Sequence, residues 1–282
     1  MSLHSRLGSS ARQSPGVDRR RWRPSVSLSL ALVLVPTAVS AGAWTLPEGS
    51  GEVDFTLSAT SAYQAFDGSA LASTPRYDKL DPQAWIEYGV TDAFTAILAP
   101  SLQQVDIASP IDAQRTGLGY TEFGGRYRLL QNDSWVFSGQ ATLAVPGTFD
   151  NANPAAVGYT DVETDVRALI GHSFSLQGLP AFVDLQFAER FRSGAPPNEF
   201  HADMTFGVEP LSRWLVLAQS FNVVSEGSGR APFTSYDYYK FQLSAVYALT
   251  PAVSLQLGGV TTYAGRNALR ENGLVAGVWS KF

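Results

Sequence analysis

The sequence predicts an all-β chain: a closed antiparallel transmembrane up-and-down β-barrel of about twelve strands, with both termini on the periplasmic side. Three observations carry this. Apolar side chains recur at every second position over most of the chain. Short turns alternate with longer polar links. Aromatic residues gather beside the short turns. In "DYYKFQLSAVYALT" (237–250), Tyr239, Phe241, Leu243, Ala245, Tyr247 and Leu249 form one apolar row, and Lys240, Gln242 and Ser244 face the other way. A strand turns successive side chains to opposite faces, so this period is that of a strand and not of a helix.

The first forty residues read differently. Arg19, Arg20, Arg21 and Arg23 precede "SVSLSLALVLVPTAVSAGA", an apolar run followed by small residues. That order is the signature of a secretory signal peptide, with cleavage near Ala41 or Ala43. The apolar run holds about ten residues, half of what a spanning helix needs. Residues 1–41 are therefore expected to be removed, and 42–282 to form a single barrel domain in the bacterial outer membrane. Of 20 Lys+Arg and 25 Asp+Glu in the whole chain, residues 1–41 hold six and one; the remainder carries 14 and 24, a net of −10. Such a surface excludes nucleic acid as a partner. With no cysteine, disulfides cannot hold the exported chain together.

The strands follow in order. "VDFTLSAT" sets Val53, Phe55, Leu57 and Ala59 against Asp54, Thr56, Ser58 and Thr60. "WVFSGQATLAV" opposes Trp135, Phe137, Ala141, Leu143 and Val145 to Ser138, Gln140 and Thr142. "AFVDLQFAER" and "AVSLQLGG" repeat the pattern, and "LVAGVWSKF" closes it. Strand nine, "WLVLAQSFNVV", is apolar on both parities, which leaves its inward face unassigned. Short turns are expected at Thr91-Asp92, Gln131–Ser134, Gln177–Pro180, Pro210–Arg213 and Thr250-Pro251. Long links are expected at 66–81, 106–117, 146–160, 193–200, 225–235 and 265–272. Five short turns alternating with six long links give twelve strands. Lipid offers the backbone no hydrogen bonds, so such a sheet must close on itself. Pro100 and Pro146 lie inside strand patterns although proline cannot donate to a ladder, so strand ends are expected near them.

The aromatics beside the short turns are Tyr88, Phe94, Tyr127, Trp135, Phe174, Trp214, Tyr247 and Phe282, as in a girdle at a membrane–water boundary. Outer-membrane lipid is thus one partner. The terminal aromatic strand is of the kind that the barrel-assembly machinery recognises. The inward parity collects Glu87, Glu122, Arg126, Arg128, Glu163, Asp165, Arg167, Asp184, Arg190, Asp203 and Lys240, together with Asp54 and Arg192. Acids and bases on neighbouring strands can bridge, so the interior is expected to be constricted or plugged. Arg126, Arg128, Glu163, Asp165 and Arg167 could also form a polar constriction acting on a small-molecule solute.

"EYGVTDAFTAILAP" and "GLGYTEFGGRYRLLQNDSWVFSGQATLAVPGT" resemble the proteobacterial outer-membrane transporter family associated with the phenol meta-degradation pathway. Tyr88, Gly89, Thr91 and Asp92 match one motif, and Gly117, Gly119, Gly124, Arg126, Tyr127 and Arg128 a second. Tyr120 stands where the family usually has aspartate. The motifs cover about fifty residues. The resemblance implies a barrel transporter or narrow channel linked to hydrophobic or aromatic compounds. The alternative that the residues leave open is a structural or surface-interaction barrel with a plugged lumen.

An enzyme is not expected. Beyond residue 41 the histidines are His172 and His201. The parity of His172 turns it to lipid. His201 shares a face with Asp203, but no motif supplies a nucleophile. No spacing suggests a metal site, and no cofactor is implied.

Overall fold

The computed structural model describes residues 42–282. The leader expected over residues 1–41 lies outside them. The long strands are β1 (Gly51–Asp67), β2 (Ala70–Thr91), β3 (Phe94–Ile107), β4 (Ala113–Gln131), β5 (Trp135–Pro146) and β6 (Glu163–Leu176). They continue as β7 (Leu179–Arg192), β8 (Glu199–Leu211), β9 (Trp214–Ser225), β10 (Asp237–Ala248), β11 (Val253–Arg266) and β13 (Asn272–Lys281). A two-residue β12 (Ala268–Leu269) and one 3-10 turn (Pro154–Ala156) complete the described chain. Each long strand pairs antiparallel with its chain neighbour, and β1 also pairs with β13 from Glu52↔Lys281 to Ser61↔Asn272. The sheet is therefore a closed barrel of twelve staves with no free edge, as expected.

Turn chemistry sets the hairpins. Gln177 and Gly178 both have positive φ (52° and 87°) between the paired Leu176 and Leu179, the condition for a two-residue turn that follows strand twist. Thr91 Oγ1 accepts the N–H of Phe94, Asn132 Oδ1 those of Ser134 and Trp135, and Thr250 Oγ1 those of Ala252 and Val253. These side chains satisfy turn backbone that the ladder leaves unpaired. All five short turns lie at one rim, and the connections at the opposite rim are more varied.

The link expected at 66–81 is mostly strand. β1 and β2 run on to a two-residue turn at Gly68-Ser69, so they are 17 and 22 residues long. A membrane crossing needs only about 9–11 residues, and the surplus rises above the long-loop rim as a hairpin. A bulge between Ala62 and Gln64 bends it, and β12 pairs with Ala65 and Phe66 beside it. The expected link at 106–117 shrinks to 108–112, and most of 265–272 is paired. Pro100 sits inside β3, where a bulge opposite β4 and a gap in the β2 ladder absorb its missing N–H. Pro146 ends β5.

The outer face is apolar. Leu257 and Leu274 are 65% and 67% exposed, and Leu98, Phe123, Leu243 and Val278 are also exposed. At the short-turn rim the aromatic rings pack against one another, Trp135, His172 and Phe174 in a stack and Trp214 tilted on Tyr247. Trp135 lies 4.0 Å from His172, His172 5.5 Å from Phe174, and Trp214 4.9 Å from Tyr247. Tyr88, Tyr127 and Phe282 are exposed at the same level.

Candidate functional site

The site is the barrel interior. Strands β6, β7 and β8 place acids and bases directly across from one another, as in Glu163↔Arg192 and Asp165↔Arg190. The result is a ladder of ion pairs. Arg167 bonds Asp165 at 3.2 Å and Asp203 at 2.9 Å; Arg190 reaches Asp165 at 3.3 Å and Glu163 at 3.5 Å. Arg192 holds Glu163 at 2.7 Å and Glu199 at 3.3 Å. On the opposite wall Lys240 pairs with Glu271, and Lys79 with Asp81 at 3.1 Å. Buried charges need such partners. The phenol of Tyr236, in the loop before β10, bonds Glu199, and burial beside that carboxylate holds its pKa well above the ordinary value.

Between these walls lies a cavity of about 700 Å³. One side carries the ion ladder. The other carries Thr56, Ser58, Gln83, Gln242 and Gln256 with the rings of Trp85 and Trp279 and apolar Val260 and Val275. β9 contributes Leu217, Gln219, Phe221 and Val223, which assigns the parity the sequence left open. Its inward face is apolar because Leu215 and Leu217 pack with Val246, Trp279 and Phe182 at the short-turn end. Ser220 and Asn222 lie on the other parity and bond each other at 3.1 Å.

The periodicity gave no signal for the segment that precedes β1. Residues 42–48 enter the barrel from the short-turn rim and cross it from β3 to β7. Several of their backbone groups find partners on the barrel wall, as burial demands. Asp184 accepts the N–H of Ala43 at 2.7 Å, and Ser138 Oγ donates to its carbonyl. Arg126 donates to Trp44 O at 2.9 Å, and Thr95 Oγ1 accepts from Leu46 N at 2.9 Å. Asp92 accepts from Thr45 Oγ1 at 2.7 Å and from Glu48 N at 3.0 Å. Ala43 packs on Val136 and Leu169, and Trp44 meets Phe182 edge-on at 5.8 Å.

The two motifs quoted for the resemblance converge on this segment. Gly89 lies so close that a Cβ there would meet Pro47 O at 2.0 Å, and Asp92 is the acceptor just named. Arg126 is 3% exposed, forked onto Glu87 at 2.7 and 3.2 Å and bonded to Gln140 at 3.1 Å. Its donors are occupied in holding the segment and Glu87, which also accepts from Trp85 at 2.8 Å. Arg128 lies beyond it at the short-turn end, outside the cavity lining. Gly171, on β6, leaves the slot for the Trp44 ring, which a Cβ would meet at 2.6 Å.

The other mouth is covered by the β5–β6 loop, 147–162. Its Ala155 is buried against Val105, Ile107 and Ala113. Tyr120 OH on β4 donates to Asp161 O at 2.9 Å, and Arg192 on β7 reaches Gly158 O at 3.4 Å. Lys79 on β2 donates to Tyr159 OH at 3.5 Å. The loop therefore ties three separate strands across the opening.

Among the lining residues, acids outnumber bases seven to five, and all five bases are ion-paired. Asp54 and Glu122 are the lining acids without an ion pair among the described residues. His201 is buried with Nε2 at 3.0 Å from Glu199. The pairing with Asp203 that the sequence suggested does not form, because Arg167 draws that carboxylate away. His172 sits among the rim aromatics, as its parity requires.

No family model matches this chain, and no curated protein sequence matches it. Solved structures do. An outer-membrane channel from Pseudomonas putida F1 superposes with a TM-score of 0.72 at 14% identity, covering 86% of this chain and 98% of that one. The translocator domain of the autotransporter NalP from Neisseria meningitidis gives 0.52 at 9% identity, covering 84% and 90%. At such identity the likeness is one of fold, that of an outer-membrane β-barrel.

Proposed function

We propose that the protein is a narrow outer-membrane channel for small amphipathic solutes, with the short-turn rim and residues 42–48 on the periplasmic side. The carrying observation is the cavity of about 700 Å³, lined by ion pairs and aromatic rings, between residues 42–48 and the loop 147–162. Ligand-sized pockets span roughly 300–1,000 Å³. Ion pairs around the lumen, with the rings of Trp85, Trp279 and Phe221 set among them, suit a small molecule that carries both polar and aromatic or apolar parts. The motif resemblance, which associates such barrels with aromatic compounds, supports the same class. Because every lining base is already paired, small ions should feel chiefly the unpaired acids Glu122 and Asp54.

Planar-bilayer recording tests this. The protein should give small, cation-preferring single-channel currents, and Glu122→Gln should move the reversal potential toward zero in a salt gradient. Liposome swelling should be faster with small aromatic acids or amines than with sugars of equal mass. The double closure favours a second reading, a plugged scaffold. Silence in both assays, with and without residues 42–48, would select it.

A further inference from the structure

Asp184 is 1% exposed. It accepts hydrogen bonds from Gln186 Nε2 at 2.6 Å and from the Ala43 N–H at 2.7 Å, yet no lysine or arginine among the described residues pairs with it. The next residue back, Gly42, lies directly on this carboxylate. Its φ is +89°, and a Cβ built on it would meet all three carboxyl atoms of Asp184 at 2.1–2.2 Å. Only glycine fits there. The backbone nitrogen of Gly42 is one bond, about 1.46 Å, from that same α-carbon.

We infer that removal of the leader occurs between Ala41 and Gly42, and that the α-ammonium so created pairs with Asp184 and latches residues 42–48 inside the barrel. The covalent step is hydrolysis by the signal peptidase of the export route. Water adds across the Ala41–Gly42 amide, its oxygen goes to the Ala41 carboxylate, and the Gly42 nitrogen leaves as an amine that takes up a proton. Before cleavage that nitrogen is an uncharged amide, and Asp184 has only neutral donors. Afterwards the buried carboxylate has the cation that burial of a charge calls for. The small-residue rule alone allows Ala41 or Ala43. The structure distinguishes them, because cleavage after Ala43 would discard the residue whose N–H and C=O bond Asp184 and Ser138. The latch does not depend on what passes through the lumen.

N-terminal sequencing and intact mass of the protein from outer membranes should show Gly42 first; a chain beginning at Trp44 overturns the inference. The latch itself is read with an amine-reactive ester on the folded barrel in detergent. Asp184→Asn keeps the shape and an acceptor for Ala43 but removes the charge, and should raise labelling of the α-amine at least tenfold. Equal labelling overturns the latch. If that variant does not fold, inserting one alanine after Ala41 leaves Asp184 intact and moves the ammonium by roughly 3.5 Å. The mass of that chain confirms its new N-terminus, and its α-amine should label as fast as in Asp184→Asn. Protection equal to that of the native chain contradicts the pairing.

Discussion

Arg126 shows how a single side chain joins the wall to its plug. It is forked onto Glu87, and the two side chains are 3% and 5% exposed. Removing one partner leaves the other charge buried, typically at a cost of about 3–5 kcal/mol. Arg126→Gln should therefore lower the unfolding midpoint, followed by heat-modifiable gel mobility, while adding Glu87→Gln restores most of it. A single variant no less stable than the double would contradict the burial. Gly171→Leu tests the slot for Trp44: it should raise conductance while the barrel stays folded, because the ring has nowhere to stand. The alternating parity made the ion ladder legible in advance, since Glu163, Asp165, Arg190 and Arg192 lie on one face by simple counting. What counting could not show was how the charges divide. Arg126 turns to a carbonyl of the segment before β1, and Asp203 prefers Arg167 to His201, both outcomes of distance across the lumen and not along the chain.

At the scale of elements, strand order and short turns were readable because lipid enforces a strict period of two. The errors fell where that constraint ends. β1 and β2 continue past the membrane as a polar hairpin carrying Pro75, and polar alternation resembles a loop when one expects lipid on one side. Strand β9 was ambiguous because its inward face is apolar where it floors the lumen. Residues 42–48 follow no period at all. Their fold is dictated by six hydrogen bonds to five residues on β3, β4, β5, β7 and the β2–β3 turn, and Gly89 and Gly171 mark their path only once the structure is seen. The loop 147–162 is the element covering the opposite mouth. Replacing 148–160 by a short Gly-Ser link should speed liposome swelling by larger solutes and leave the unfolding midpoint nearly unchanged. A large drop in that midpoint would make the loop a structural brace.

The whole molecule is an inverted globular protein, with exposed leucine, valine and phenylalanine outside and paired ions within. That inversion is stable only if acyl chains cover the belt. Leu257→Arg, at a position 65% exposed, should cost about 2–4 kcal/mol in lipid if it lies near the bilayer midplane. In a water-soluble protein the same exposed substitution would be nearly silent. Closure of the cylinder by β1 and β13 then leaves one axis along which a solute can move, and residues 42–48 lie across it. Single-channel conductance of the processed protein, measured beside a chain that lacks residues 42–48, tests this most directly. The truncated barrel should conduct severalfold more, with longer open times. Identical traces from the two proteins would show that this segment does not close the lumen.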